Sequence, residues 1–138
     1  MGSVYVLDAC ALLAIINNEQ GADRVETVLK DALAGNAEIY MHKLNVYEVY
    51  YGIYRVEGKA RADEVYRIIQ RQPIDIIDTF SDDVFAEAAR LKVKYKISVA
   101  DSIALGEAVV RNASLLSSDH HEFDIVEQQE NIKLVWIR

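Results

Sequence analysis

The chain opens on a run, Ser3-Val-Tyr-Val-Leu7, that is apolar at nearly every position and stops on a carboxylate, Asp8. A strand with one face in water alternates apolar and polar residues; one that is apolar throughout has core on both faces, as in a parallel sheet. Parallel strands need long crossovers, so helices must cover the sheet. Further short apolar runs bounded by turn residues predict strands at Glu38–His42, Ile74–Asp78, Ser114–Ser117 and Lys133–Ile137. Helical periodicity predicts Ala11–Ile16, Ala22–Leu33, Asn45–Glu57, Ala60–Arg71, Asp82–Tyr95 and Val99–Arg111, with stops at Gly35-Asn36 and Gly58. This order implies an α/β/α sandwich: a mostly parallel five-stranded sheet flanked by helices, in one domain over residues 1–138.

Bulk properties narrow the class. Hydrophobic residues make up 51% and charged residues 27%, an ordinary globular balance. No apolar run reaches the roughly 18 residues that span a bilayer. A strand-like start in place of a basic-then-apolar leader, together with a lone cysteine, Cys10, leads to an expected cytoplasmic location. The net charge of −7 argues against general affinity for nucleic acid, because Lys and Arg drive phosphate binding. Two local groups run against that total: Arg90-Leu-Lys-Val-Lys-Tyr-Lys96, and the mixed set Arg55, Lys59, Arg61, Arg67 and Arg71. Each reads either as a solvated helix face or as a bank for a nucleic-acid backbone.

Four acids are placed where apolar segments end or helices begin: Asp8, Glu48, Asp101 and Asp119. Asp8 follows the first strand, Asp119 follows the fourth by two residues, and Glu48 and Asp101 open helices. Ligands of open α/β sheets bind at the carboxyl ends of the strands, so one edge can collect all four. Each acid also has an ordinary explanation. Asn45-x-x-Glu48, Ser98-x-x-Asp101 and Asp119-x-x-Glu122 have the pattern of capping boxes, and Asp8 is placed to cap the helix after it. Yet a capping acid can stay in water, whereas Asp101 is in register with Leu105 and Ala108 on a core-facing stripe. Two carboxylates about 5 Å apart repel by about 3 kcal/mol at an effective dielectric of about 20. A divalent cation relieves that repulsion, which predicts a hard-metal site and phosphate chemistry. Neither G-x-x-x-x-G-K-[ST] nor G-x-G-x-x-G occurs, so nucleotide-cradling loops are absent. Aspartyl-nucleophile chemistry needs a second Asp two residues after the first, where this chain has Cys10.

In order and context, V-Y-V-L-D-A-C, N-V-Y-E-V-Y-Y-G, S-V-A-D-S-I-A-L-G-E-A and L-L-S-S-D-H-H-E-F resemble the PIN-domain ribonucleases, especially the VapC-type toxins of toxin–antitoxin pairs. The resemblance runs along essentially the whole chain. It implies a Mg²⁺- or Mn²⁺-dependent endoribonuclease leaving 5′-phosphate and 3′-hydroxyl ends, with Asp8, Glu48, Asp101 and Asp119 as the acidic quartet. By that likeness Asp8 and Asp101 are primary metal ligands, and Asp119 holds a second metal or binds through water. Glu48 orients or deprotonates the attacking water, the identity of the base staying open, and Ser117 hydrogen-bonds the site. An RNA substrate, a cognate antitoxin and a homodimer are implied as partners, with no membrane. The chain departs from the family at Cys10, where Ser, Thr or Asn is usual. Cys10 fills space, loosens the site, or makes it sensitive to oxidation. The rival class is a non-catalytic PIN-like module that binds RNA or protein.

Other residues carry two readings each. Tyr47, Tyr51 and Tyr54 follow helical spacing, which fits core or an interface. Gly52 permits close approach of backbone or ligand, and Ser118 and Glu122 read as local caps. His120 and His121 are adjacent and point apart, which disfavours joint metal ligation and leaves a phosphate or solvent contact.

Overall fold

Val6 and Leu7 are adjacent and both fully buried, yet they enter different cores. That is the signature of a central strand sandwiched between helical layers. The computed structural model describes residues 2–138. In chain order the elements are β1 (Ser3–Leu7), α1 (Ala9–Ile16), α2 (Ala22–Leu33), β2 (Ala37–His42), α3 (Lys43–Glu57), α4 (Lys59–Gln70), β3 (Asp75–Ile77), α5 (Asp82–Lys94), α6 (Val99–Val110), β4 (Ser114–Ser117), α7 (His120–Gln129) and β5 (Leu134–Trp136). The five strands lie in the order β3-β2-β1-β4-β5, and every pairing is parallel. Leu7, Ile39, Met41 and Leu116 pack with α1 to α4 on one face. Val6 and Leu115 pack with α5 to α7 on the other.

The topology sets the site. β2 lies on one side of β1 and β4 on the other, so the strand order reverses between β1 and β4. In such sheets the crevice at the carboxyl ends of that strand pair is where a ligand fits. Asp8 and Ser117 stand there. Helix α6 runs beneath, buried at every position from Ala100 to Ala108, because nearly all its residues are small or apolar. Gly106 brings it close to α5: a Cβ there would lie 3.2 Å from Ala88 Cβ, Ala88 N and Val84 O.

Several boundaries differ from expectation, for physical reasons. Helix α3 starts at Lys43, two residues early, because the His42 side chain caps it: Leu44 N–H donates to Nδ1 at 3.0 Å. Asn45 is therefore inside the helix, fully buried, donating to Ala100 O at 3.1 Å, and is no cap. Helix α7 was not anticipated, since it buries only Phe123 and Val126. Tyr47, Tyr51 and Tyr54 are exposed, at 58%, 37% and 46%, because Val46, Val49 and Ile53 hold the neighbouring core-facing stripe. Among the described residues no helix is long and apolar enough to cross a membrane.

Gly106→Val should lower unfolding free energy by about 1–3 kcal/mol through overpacking. Gly52→Ala, with nothing within 4 Å of the added Cβ, should raise it by about 0.5–1 kcal/mol. Urea titrations of the pair check this, and a fully stable Gly106→Val protein would contradict the tight α5–α6 contact.

Candidate functional site

The end of β1 and the end of β4 are joined by one hydroxyl. Asp8 is 1% exposed; its Oδ1 accepts from Ala11 N at 2.9 Å, and its Oδ2 accepts from the Ser117 hydroxyl at 2.5 Å. Ser117 Oγ in turn accepts from Asp119 N–H at 2.9 Å. Asp119 caps α7, its Oδ1 accepting from Glu122 N–H at 3.1 Å. Asp101 lies buried in the first turn of α6, where its own N–H donates to Ser98 Oγ at 3.1 Å. Glu48 is half-buried in α3. The capping roles expected for Asp8, Ser98 and Asp119 are thus real, and they coexist with convergence.

Electrostatics tie the four acids together. Asp8 is pushed up to about 7, first by burial and, against its hydrogen bonds, by the charges of Asp119 and Glu48. Asp101 is also pushed up to about 7, by burial and then by Asp8 and Asp119. Glu48 is raised by burial and by Asp119. Among the described residues, no Lys, Arg or His forms an ion pair with any of the four. Carboxylate oxygens of Asp101, Asp119 and Glu122 lie within 4.8 Å of one another. An all-oxygen, anionic donor set of that span suits a hard divalent cation, whose ligand oxygens stand about 2.0–2.6 Å from it. Glu122, expected as a local cap, is instead the residue that is capped: its N–H donates to Asp119, and its carboxylate lies among the acids.

Neighbouring side chains take narrower parts. The half-buried Cys10 thiol is pushed up to about 12 by burial and by Asp8, Asp119 and Asp101. Ser118 hydrogen-bonds that thiol and is not the α7 cap. His120 stacks on Trp136 with centroids 3.7 Å apart, its ring nitrogens against Asp124 Oδ1 and Arg138 O. It has no nitrogen left for a metal. At Gly52 nothing approaches within 4 Å, so no protein backbone uses the space. In the segment 90–96, Arg90 and Lys94 are engaged by Glu130, which Arg90, Tyr95 and Lys94 together hold down to about 2. Arg90 and Lys94 thus clasp α5 to the residue that follows α7, while Lys92 and Lys96 are exposed. Lys59 and Arg61 likewise pair with acids of their own neighbourhood, Asp63, Glu57 and Glu64.

The sequence matches the PIN domain family over residues 5–128, a span that includes all four acids and Glu122. No curated protein matches. Among solved structures, VapBC2 from Rickettsia felis bound to a DNA fragment from its promoter superposes with a TM-score of 0.76 at 21% identity, covering 96% of this chain and 98% of that one. A toxin–antitoxin complex from Klebsiella pneumoniae gives 0.68 at 16% identity, with 97% and 98% covered. VapC20 from Mycobacterium tuberculosis, described as a sarcin-ricin loop cleaving toxin, gives 0.64 at 15% identity, with 90% and 95% covered. At these identities the likeness is one of fold. With the family match over nearly its whole length, the chain belongs to the PIN-domain family.

Proposed function

We propose that the protein is a Mg²⁺- or Mn²⁺-dependent endoribonuclease, the toxin of a toxin–antitoxin pair. One observation supports this: Asp8, Glu48 and Asp101 are raised by burial and by one another's or Asp119's charge, beside the Asp101–Asp119–Glu122 oxygens, and among the described residues no cationic side chain pairs with the four. Uncompensated carboxylates are costly, and a module that only bound a partner would gain nothing from keeping them. Asp8, Asp101 and Asp119, joined by Glu122, would hold the cation. Bound there, such an ion supplies Lewis acidity to a phosphodiester and lowers the pKa of water. Ser117 fixes the Asp8 carboxylate and the Asp119 backbone together, which keeps the donor set in one geometry. Glu48, held above its ordinary value and half-exposed, is suited to accept the proton of an attacking water. The clustered negative charge repels phosphate until it is neutralised, so substrate entry is coupled to the cation.

The described functions of structural relatives support the choice of substrate and partner: one is a loop-cleaving toxin and another a toxin–antitoxin complex. A hollow of about 340 Å³ between α3 and α4, lined by Lys43, Val46, Tyr47, Tyr50, Asp63 and Tyr66, is the surface we assign to the antitoxin.

Mixed cellular RNA should yield discrete fragments with Mn²⁺ or Mg²⁺ and none with chelator. Asp101→Asn should abolish cleavage, and Glu48→Gln should slow it about 10²–10⁴-fold while keeping the metal. Fragments that survive chelation or Asp101→Asn would refute the nuclease assignment.

The raised acids give a pH signature. Below the ordinary value of 3.8 both folded and unfolded chains hold the Asp8 and Asp101 protons; between there and about 7 only the folded chain does. Their contribution to metal-free stability therefore falls as pH rises through that window. Mn²⁺ should raise the Tm more at about pH 8 than at about pH 5, and the Asp8→Asn, Asp101→Asn double variant should flatten the metal-free decline. A decline of equal depth in that variant would place the strain elsewhere.

Glu122→Gln should weaken Mn²⁺ binding about tenfold or more in calorimetric titration. The α7 cap survives, since it uses the Glu122 N–H. Unchanged affinity would put Glu122 outside the donor set.

A further inference from the structure

Glu48 faces two ways. Besides joining the acids, it lines a hollow of about 260 Å³ with Tyr47 and Tyr51 of α3 and Ser98 and Val99 at the start of α6. Tyr47 and Val99 are bare, at 58% and 60% exposure, and surface that apolar beside an anionic centre calls for an occupant. The two tyrosine rings meet edge to face, 5.0 Å between centroids at 63°, so their contact covers only one of the four ring faces. Arg55 lies 5.4 Å from the Tyr51 ring centroid, placing a cation at the far end of the platform.

Building on the nuclease assignment, we propose that this hollow is a nucleobase subsite. A base next to the phosphate held at the acids stacks on Tyr47, flanked by Tyr51 and Val99. The occupant must be flat, uncharged and partly apolar. Glu48 repels an acidic group, and the exposed aromatic and aliphatic walls give a compact cation little. A nucleobase satisfies all three demands, and every base offers a π-face. Its edge also finds a partner. Ser98 is engaged with Asp101, its Oγ accepting from the Asp101 N–H and its hydroxyl serving that carboxylate, so the Glu48 carboxylate is the group left to accept from a base edge. Because Glu48 belongs to both places, a base here is separated from a phosphate at the acids by little more than its own sugar. Arg55 then meets the next phosphate along. Both faces of a paired base are covered by its neighbours, so only an unstacked nucleotide can enter.

The test uses protein with all four acids intact, Ca²⁺ replacing Mn²⁺ to neutralise the acids without turnover, and two fluorescein-labelled probes: a short oligouridylate and an abasic ribose-phosphate chain of equal length. Tyr47→Leu keeps apolar bulk but removes the ring; Tyr47→Phe keeps the ring. Oligouridylate should bind about tenfold more weakly to Tyr47→Leu and unchanged to Tyr47→Phe. The abasic chain should bind all three proteins equally. Equal oligouridylate affinity for Leu and Phe variants would overturn the subsite. So would an equal loss on the abasic chain, no binding of oligouridylate by any variant, or a change in sedimentation alone, which would mark a face between copies of the chain. Cleavage of cellular RNA with Mn²⁺ is scored separately. Its absence refutes the nuclease assignment, whereas base-dependent binding is decided by the probes.

Discussion

The Ser117 hydroxyl, donating to Asp8 and accepting from Asp119 N–H, is the contact on which the site depends. It joins the ends of β1 and β4 where the strand order reverses, and it orients one carboxylate while fixing the loop that carries another. The local helices add to this. Asp8 and Asp119 cap α1 and α7, and Asp101 sits in the first turn of α6, so three positive helix ends point at the cluster. A helix end is worth about 0.3–1 kcal/mol to a nearby anion, against about 3 kcal/mol of repulsion for each carboxylate pair at about 5 Å. Repulsion and burial win, which is why Asp8 and Asp101 rise to about 7 despite favourable hydrogen bonds.

Charge elsewhere is arranged so as not to interfere. Arg90 and Lys94 are bound to Glu130, Lys59 to Asp63, and Arg111 to the buried Glu107, where its guanidinium also lies 4.1 Å from the Tyr40 ring centroid. These cations are held by acids of their own neighbourhood, and among the described residues none pairs with the four acids of the site. A chain of net charge −7 can meet a polyanion only at places that offer something other than bulk attraction. A neutralised acidic centre with aromatic surface beside it is such a place, and Tyr47 and Tyr51 supply that surface.

The strands were legible because dense apolar runs ended on polar residues: β1 and β4 start and stop where the pattern says. The four acids were legible because each interrupts apolar sequence at a strand end or helix start. Helix α7 was not, because Phe123 and Val126 are too few to make a stripe. His42 hid the start of α3, since histidine is an uncommon cap. The tyrosine stripe and the Val46–Val49–Ile53 stripe are offset by one or two residues on the same helix, and only packing decides which one is buried. The Glu130 clasp joins residues 36 to 40 positions apart, beyond any local pattern. Glu122 has the pattern of a cap, and its place among the acids needed the third dimension.

Cys10 shows how a departure from family pattern can alter a site without joining its chemistry. A hydroxyl or amide in its place would bring a strong dipole to the acids; a thiol is a weak donor. Burial and the charges of Asp8, Asp119 and Asp101 push its pKa up to about 12, which disfavours the thiolate near neutral pH. Oxidation proceeds through thiolate, so burial and then the neighbouring carboxylates work against the oxidation-sensitive reading of Cys10. What remains is a half-buried, weakly polar thiol that feels the charge of Asp8. Asp8 itself is raised first by its own burial, and that burial is what makes the cluster depend on an outside cation.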